Sequence, residues 1–191
     1  HSSAASDVYK RQGIGWSLSG LGYIERTYLS CAIDGTTGLH PNDAGKNVTE
    51  ELCWIGNNAT IVLNGVVSRL IPVNPTLVNG GGASEWVLEN DPGWKVTRYS
   101  DGSGGPDAEN RWGEYWVITD LSGTKYTFGQ TAKAALNVPV LSNDQEDPCW
   151  GDEDEYASGA SRWCSMPWRW NLEKIEDLNG NRVDFVWQDV T

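Results

Sequence analysis

Glu114-Tyr115-Trp116-Val117-Ile118-Thr119-Asp120-Leu121-Ser122-Gly123-Thr124-Lys125-Tyr126-Thr127-Phe128 carries two strand-like runs around a short turn. Trp116 and Ile118 fall on one face of the first run, and Tyr126 and Phe128 on one face of the second, the period of two that a half-buried strand shows. Asp120 can accept hydrogen bonds from the backbone at the turn entry, and Gly123 supplies a positive φ. Further along, Trp168 to Ile175 and Arg182 to Trp187 flank Asp177-Leu178-Asn179-Gly180-Asn181. The two stretches align at one constant offset: Ile118 with Ile175, Asp120 with Asp177, Leu121 with Leu178, Gly123 with Gly180, Lys125 with Arg182, Phe128 with Phe185. The shared pattern is I-x-D-L-x-G-x-[KR]-x-x-F. One hairpin used twice suggests an array in which each unit buries its face on its neighbours.

The rest of the chain reads the same way. Ala59 to Asn64 and Val66 to Ile71 flank Asn64-Gly65, the strongest short-range hairpin signal because both residues tolerate φ > 0. Pro72 and Pro75 then end the second strand. Trp94 to Tyr99 alternates and meets Asp101-Gly102. Asn79 to Ser84 and Asp101 to Pro106 read as loops, and Thr131 to Leu136 as one short turn. No segment sustains apolar residues at i, i+3, i+4 and i+7 over three turns. The prediction is an all-β fold of antiparallel hairpins, an open curved sheet or a truncated β-shell. Open edges predict that the isolated piece is sticky.

The 191 residues carry 14 Lys+Arg against 26 Asp+Glu, a formal net charge of −12. So acidic a surface repels nucleic-acid phosphates and anionic lipid, and no apolar run reaches the roughly 20 residues that span a bilayer. Residues 1–12, HSSAASDVYKRQ, show neither period and resemble translated adapter read-through at the ends of metagenomic assemblies, so 13–191 is taken as a single β-rich unit. The first residue is His1 and the last follows a strand-like run, so both natural termini are expected to lie outside the sequence.

Cys31, Cys53, Cys149 and Cys164 allow three pairings. The sequence-local one, Cys31–Cys53 with Cys149–Cys164, would close two polar loops at roughly 3 kcal/mol each in the chain-entropy model. Disulfides imply an extracellular or cell-surface setting. Asn47-Val48-Thr49 and Asn58-Ala59-Thr60 match the glycosylation acceptor pattern. No cofactor motif occurs: there is no P-loop, and no G-x-S-x-G or G-x-G-x-x-G in a strand-to-helix context. His40, the one imidazole besides His1, lies in a Gly/Asp/Asn loop. Glu114 and Asp120, or the run Asp152-Glu153-Asp154-Glu155, are the carboxylates a glycoside hydrolase would need. Carboxylates on loops are mostly solvated, so no enzyme is expected. The acidic stretch 143–155 lacks EF-hand spacing for calcium. Eleven tryptophans are the live alternative: exposed indole faces would make a carbohydrate-binding β-module, with cell-surface glycans as partners.

Gly13-Ile14-Gly15-Trp16-Ser17-Leu18-Ser19-Gly20, followed by Ile24-Glu25-Arg26, resembles the opening of bacterial Rhs/YD-repeat shell proteins. That group includes the B component of insecticidal toxin complexes, and animal teneurins carry a related shell. Asp177-Leu178-Asn179-Gly180-Asn181 is similar to the family's repeat signature, with Phe185 where tyrosine is usual. The resemblance covers residues 13–191. It implies a secreted bacterial β-shell that encapsulates and delivers a C-terminal toxin or effector, with the remainder of its own repeat array as partner. Gly13, Gly15, Trp16, Asp120, Gly123, Asp177 and Gly180 would be structural, and no catalytic residue is implied.

Overall fold

The structure is a computed structural model that describes residues 21–31, 52–75, 82–100, 113–142, 147 and 163–188. Among the described residues twelve strands form one sheet: β1 (Tyr23–Glu25), β2 (Leu29–Ser30), β3 (Leu52–Cys53), β4 (Ala59–Leu63), β5 (Val66–Pro72), β6 (Gly82–Leu88), β7 (Lys95–Ser100), β8 (Tyr115–Thr119), β9 (Lys125–Phe128), β10 (Ala135–Leu141), β11 (Trp163–Glu176) and β12 (Arg182–Asp184). A 3₁₀ turn, Ala132–Ala134, precedes β10. The all-β expectation of antiparallel hairpins holds, and one further pairing, Leu141 of β10 with Cys53 of β3, is parallel. Asn64 and Gly65 both take positive φ, 50° and 80°, and join β4 to β5 with Leu63 opposite Val66.

The sheet is not left open. Its order runs β1-β4-β5-β6-β7-β8-β9-β11, and β11 pairs back onto β1, so eight strands close a barrel. Closure removes the edges that hairpin grammar alone leaves exposed. A barrel of eight strands is just wide enough for side chains to fill. Ile24, Ile61, Leu63, Trp86, Val96, Trp116, Ile118, Phe128, Trp170 and Leu172 fill this one.

β11 is long enough to serve two structures. Trp170 sits opposite Ile24 of β1 on one edge and Ala135 of β10 on the other. Beyond a bulge at Glu173, Lys174 to Glu176 pair with β9 on one side and β12 on the other. The bulged Glu173 carboxylate accepts from the N–H groups of Gln130 and Thr131 and so fixes the chain leaving β9. β10 continues away from the barrel along the first half of β11 and carries the short β3–β2 ribbon on its far side. The disulfide Cys31–Cys53 ties that ribbon, with Cα atoms 5.0 Å apart.

Three local readings differ from the structure. Gly82 to Ser84, assigned to a loop, begin β6, because Ser84 turns inward and accepts from Trp86 Nε1 at 3.0 Å. The short turn at Thr131 leads directly into β10. β11 begins at Trp163, well before Trp168, since Pro167 lies opposite Asn137 next to a bulge where a missing N–H is tolerated. Residues 1–20, with Gly13, Gly15 and Trp16, lie outside the described residues, as do Cys149, His40, Asn47 and residues 152–155.

Candidate functional site

The two hairpins that share the I-x-D-L-x-G pattern are one unit in three dimensions. Ile118 faces Tyr126 and Thr119 faces Lys125; at the equivalent positions Ile175 faces Val183 and Glu176 faces Arg182. The backbone bonds of the two turns match one for one. Asp120 Oδ1 accepts from the N–H groups of Ser122 (2.8 Å) and Thr124 (3.0 Å); Asp177 Oδ1 accepts from those of Asn179 (2.8 Å) and Asn181 (2.9 Å). Gly123 N–H donates to Asp120 O and Gly180 N–H to Asp177 O, and both glycines have φ of 82°. Both carboxyls are held below the ordinary aspartate range. For Asp120, partial burial pushes upward but the bonds from Ser122, Thr124 and Tyr126 outweigh it; for Asp177 the bond from Asn181 leads.

These turns lie side by side at one end of the barrel, together with the β6–β7 turn, whose Asp91 Oδ1 accepts from Gly93 N–H at 2.7 Å. Leu121 lies over Gly93 of the β6–β7 turn, where Pro92 stands in place of a leucine, and Leu178 lies over Gly123. A Cβ on Gly93 would meet Leu121 Cδ2 at 3.0 Å, and one on Gly123 would meet Leu178 Cδ2 at 2.6 Å. Gly180 carries nothing within 4 Å of that position. Among the described residues β12 pairs only with β11, so its other edge is unoccupied. Leu178, Val183 and Val186 are exposed beside it. A hollow of about 440 Å³ next to β12 is lined by Phe185, Val186, Trp187 and the 3₁₀ turn. Asp120, Gly123, Asp177 and Gly180 are therefore brought into one row. The role of the two leucines in linking one turn to the next was the part that sequence reasoning missed; their equal spacing from the aspartates was the available signal.

The carboxylate candidate Glu114 is elsewhere. It is fully buried inside the barrel, where Arg26 Nη1 and Nη2 donate to its two oxygens at 2.9 and 2.6 Å and Arg98 Nε donates to Oε1. Burial alone would raise its pKa, but Arg26 and Arg98 outweigh burial and hold it below the ordinary range. Arg26 is sandwiched between the rings of Trp54 and Trp170, 4.9 and 5.0 Å from the centroids. A carboxylate so held lacks the raised pKa of a general acid. Trp54 packs on Arg26 and Tyr28, with Val140 and Met166 nearby.

The tryptophan cluster is internal. Trp116 meets Trp86 and Trp170 edge-on, at 5.0 and 5.8 Å, and all three are buried. Trp170 Nε1 donates to Glu114 O at 2.9 Å. Asn58, an acceptor in the glycosylation pattern, uses its amide structurally: Oδ1 accepts from Thr27 N–H and Nδ2 donates to Thr27 O and Gly56 O. Among the described residues there is no group of three metal-ligating side chains, and no helix long and apolar enough to cross a membrane.

No family model matches the chain, and no curated protein does. Among solved structures it is similar to the N-terminal domain of the effector protein SpvB from Salmonella typhimurium strain LT2, at 13% identity and a TM-score of 0.38. That likeness covers 86% of this chain and 41% of the other, so this chain spans about two fifths of that structure's length.

Proposed function

We propose that this chain is a wall-building segment of a secreted Rhs/YD-repeat-type β-shell, a non-enzymatic scaffold that helps to enclose and deliver a C-terminal effector. One observation carries the reading: the two Asp-Leu-x-Gly hairpins lie side by side with Leu178 seated on Gly123, and among the described residues the pair ends with an empty seat at Gly180 and an unpaired β12 edge. A wall grows by adding one more such hairpin. The barrel itself is filled by side chains, so any enclosed cargo would occupy a chamber built by further hairpins. The Cys31–Cys53 disulfide supports an extracellular setting.

The experiment is to append a third copy of the Asp-Leu-x-Gly hairpin after residue 188. Amides of Arg182–Asp184 should then exchange more slowly and the melting temperature should rise. Replacing Gly180 by valine in the extended chain should abolish both gains. An appended hairpin that leaves β12 exchange unchanged would remove the wall reading.

A further inference from the structure

The outer face of β7, β8, β9 and β11 forms a concavity of about 430 Å³. Its floor is a lattice of three cross-strand rows. The first is Lys95, Thr119, Lys125 and Glu176; the second is Thr97, Val117, Thr127 and Lys174; the third is Tyr99 beside Tyr115. The two tyrosine rings stack at 4.8 Å with planes 9° apart and close one end. Lys95, Lys125 and Lys174 make no ion pair among the described residues; Glu176 is the one acid of the lining, with Glu85 of β6 opposite Thr97 and Asp184 of β12 opposite Lys174 at the two margins. Within the lining three cations stand against one anion, in a chain of net charge −12, and at the margin Asp184 is paired with Arg182. Lys125 and Lys174 stand diagonally on neighbouring strands, roughly 7–8 Å apart at their stems.

We infer that this face is a binding site for an anionic saccharide, one bearing sulfate or carboxylate groups. The lysines supply counter-charges, and the Thr97, Thr119, Tyr99 and Tyr115 hydroxyls supply groups that both donate and accept, matching a polyol. An acidic peptide is the weaker fit. Extended peptides bind by adding to a free strand edge, and these four strands are each paired on both sides. The tryptophans take no part, and the inference does not rest on the wall reading.

The test is calorimetric titration of the full chain at low salt with a heparin-derived hexasaccharide, a neutral cello-oligosaccharide and an oligo-glutamate peptide. The sulfated sugar should bind, and raised salt should weaken it. The double variant Lys125→Gln/Lys174→Gln should weaken binding by about tenfold or more, equivalent to about 1.4 kcal/mol. Arg69→Gln, on another part of the barrel, should leave binding and melting unchanged. Tyr99→Phe/Tyr115→Phe keeps the stacked rings and should weaken binding through the lost hydroxyls, with an unchanged melt. No binding of the sulfated sugar, insensitivity to the lysine double variant, or equal affinity for oligo-glutamate would each overturn the inference.

Discussion

Glu114 shows how much one side chain can be asked to do. Its carboxylate neutralises charge on two arginines far apart in sequence, Arg26 just after β1 and Arg98 of β7, all three buried from bulk solvent. Glu114→Gln leaves those guanidinium groups buried without their anion, and urea unfolding at neutral pH should show a loss of about 3 kcal/mol. The acid dependence follows from the same bonds. A carboxyl whose pKa is lowered by folding contributes stability that is present above its unfolded value of 4.5 and is lost as pH falls through the lower folded value. Unfolding midpoints should therefore be flat down to that range and then drop, and Glu114→Gln should flatten the drop. Tyr28 works at the other end. Burial is the main cause that pushes its phenol up to about 12, against an opposing pull from Arg26. Its contribution is fully present below 10, the unfolded value, and is lost as pH rises towards 12. Tyr28→Phe should remove that alkaline slope. Glu114 was legible as a carboxylate worth testing, but Arg26 as its partner was not, because 88 residues separate them and no local pattern encodes the pairing.

At the scale of elements, equal hairpins should respond unequally to equal changes. Asp120 closes a turn between two barrel strands, whereas Asp177 closes a turn whose second strand, β12, lies off the barrel. Asp120→Ala should lower global stability by about 1 kcal/mol, the scale of a solvent-accessible bond to a charged group. Asp177→Ala should speed amide exchange in Arg182–Asp184 and leave the global melt in place. Glycines separate likewise. Gly129 has a φ of 66°, and a Cβ there would lie 2.3 Å from Trp170 Cδ1, so Gly129→Ala should cost well over the roughly 1–2 kcal/mol of left-handed strain alone. Gly180→Ala meets open space and should cost that strain only, read as β12 fraying. The turn residues were legible because Asp-Leu-x-Gly acts over four residues. The first half of β11, the inward Ser84 and the β10 ribbon were not, because their partners are distant and their sequences contain glycine or proline that reads as a break.

For the whole molecule, closure is the decisive event. β1 is three residues long, yet it joins β4 to β11 and leaves the barrel no edge there. Ile24→Ala, at a fully buried position on that seam, should cost about 2–5 kcal/mol and reduce exchange protection in β4 and β11 together. The closed barrel should melt in one cooperative transition, and aqueous quenchers should reach Trp86, Trp116 and Trp170 poorly. Among the described strands the edges left open lie off the barrel, on β12 and along β10 and its short β3–β2 ribbon, and any stickiness of the isolated piece is expected there. What the order of residues determined alone was local: alternation set which faces are apolar, Asp, Asn and Gly set the turns, and repetition of one pattern set two matching hairpins. Those signals act within a few residues of backbone. Only the folded chain decided that the sheet closes, that Glu114 lies between two arginines, and that each leucine finds the previous glycine, since these depend on contacts between residues brought together by the curvature and twist of many strands at once.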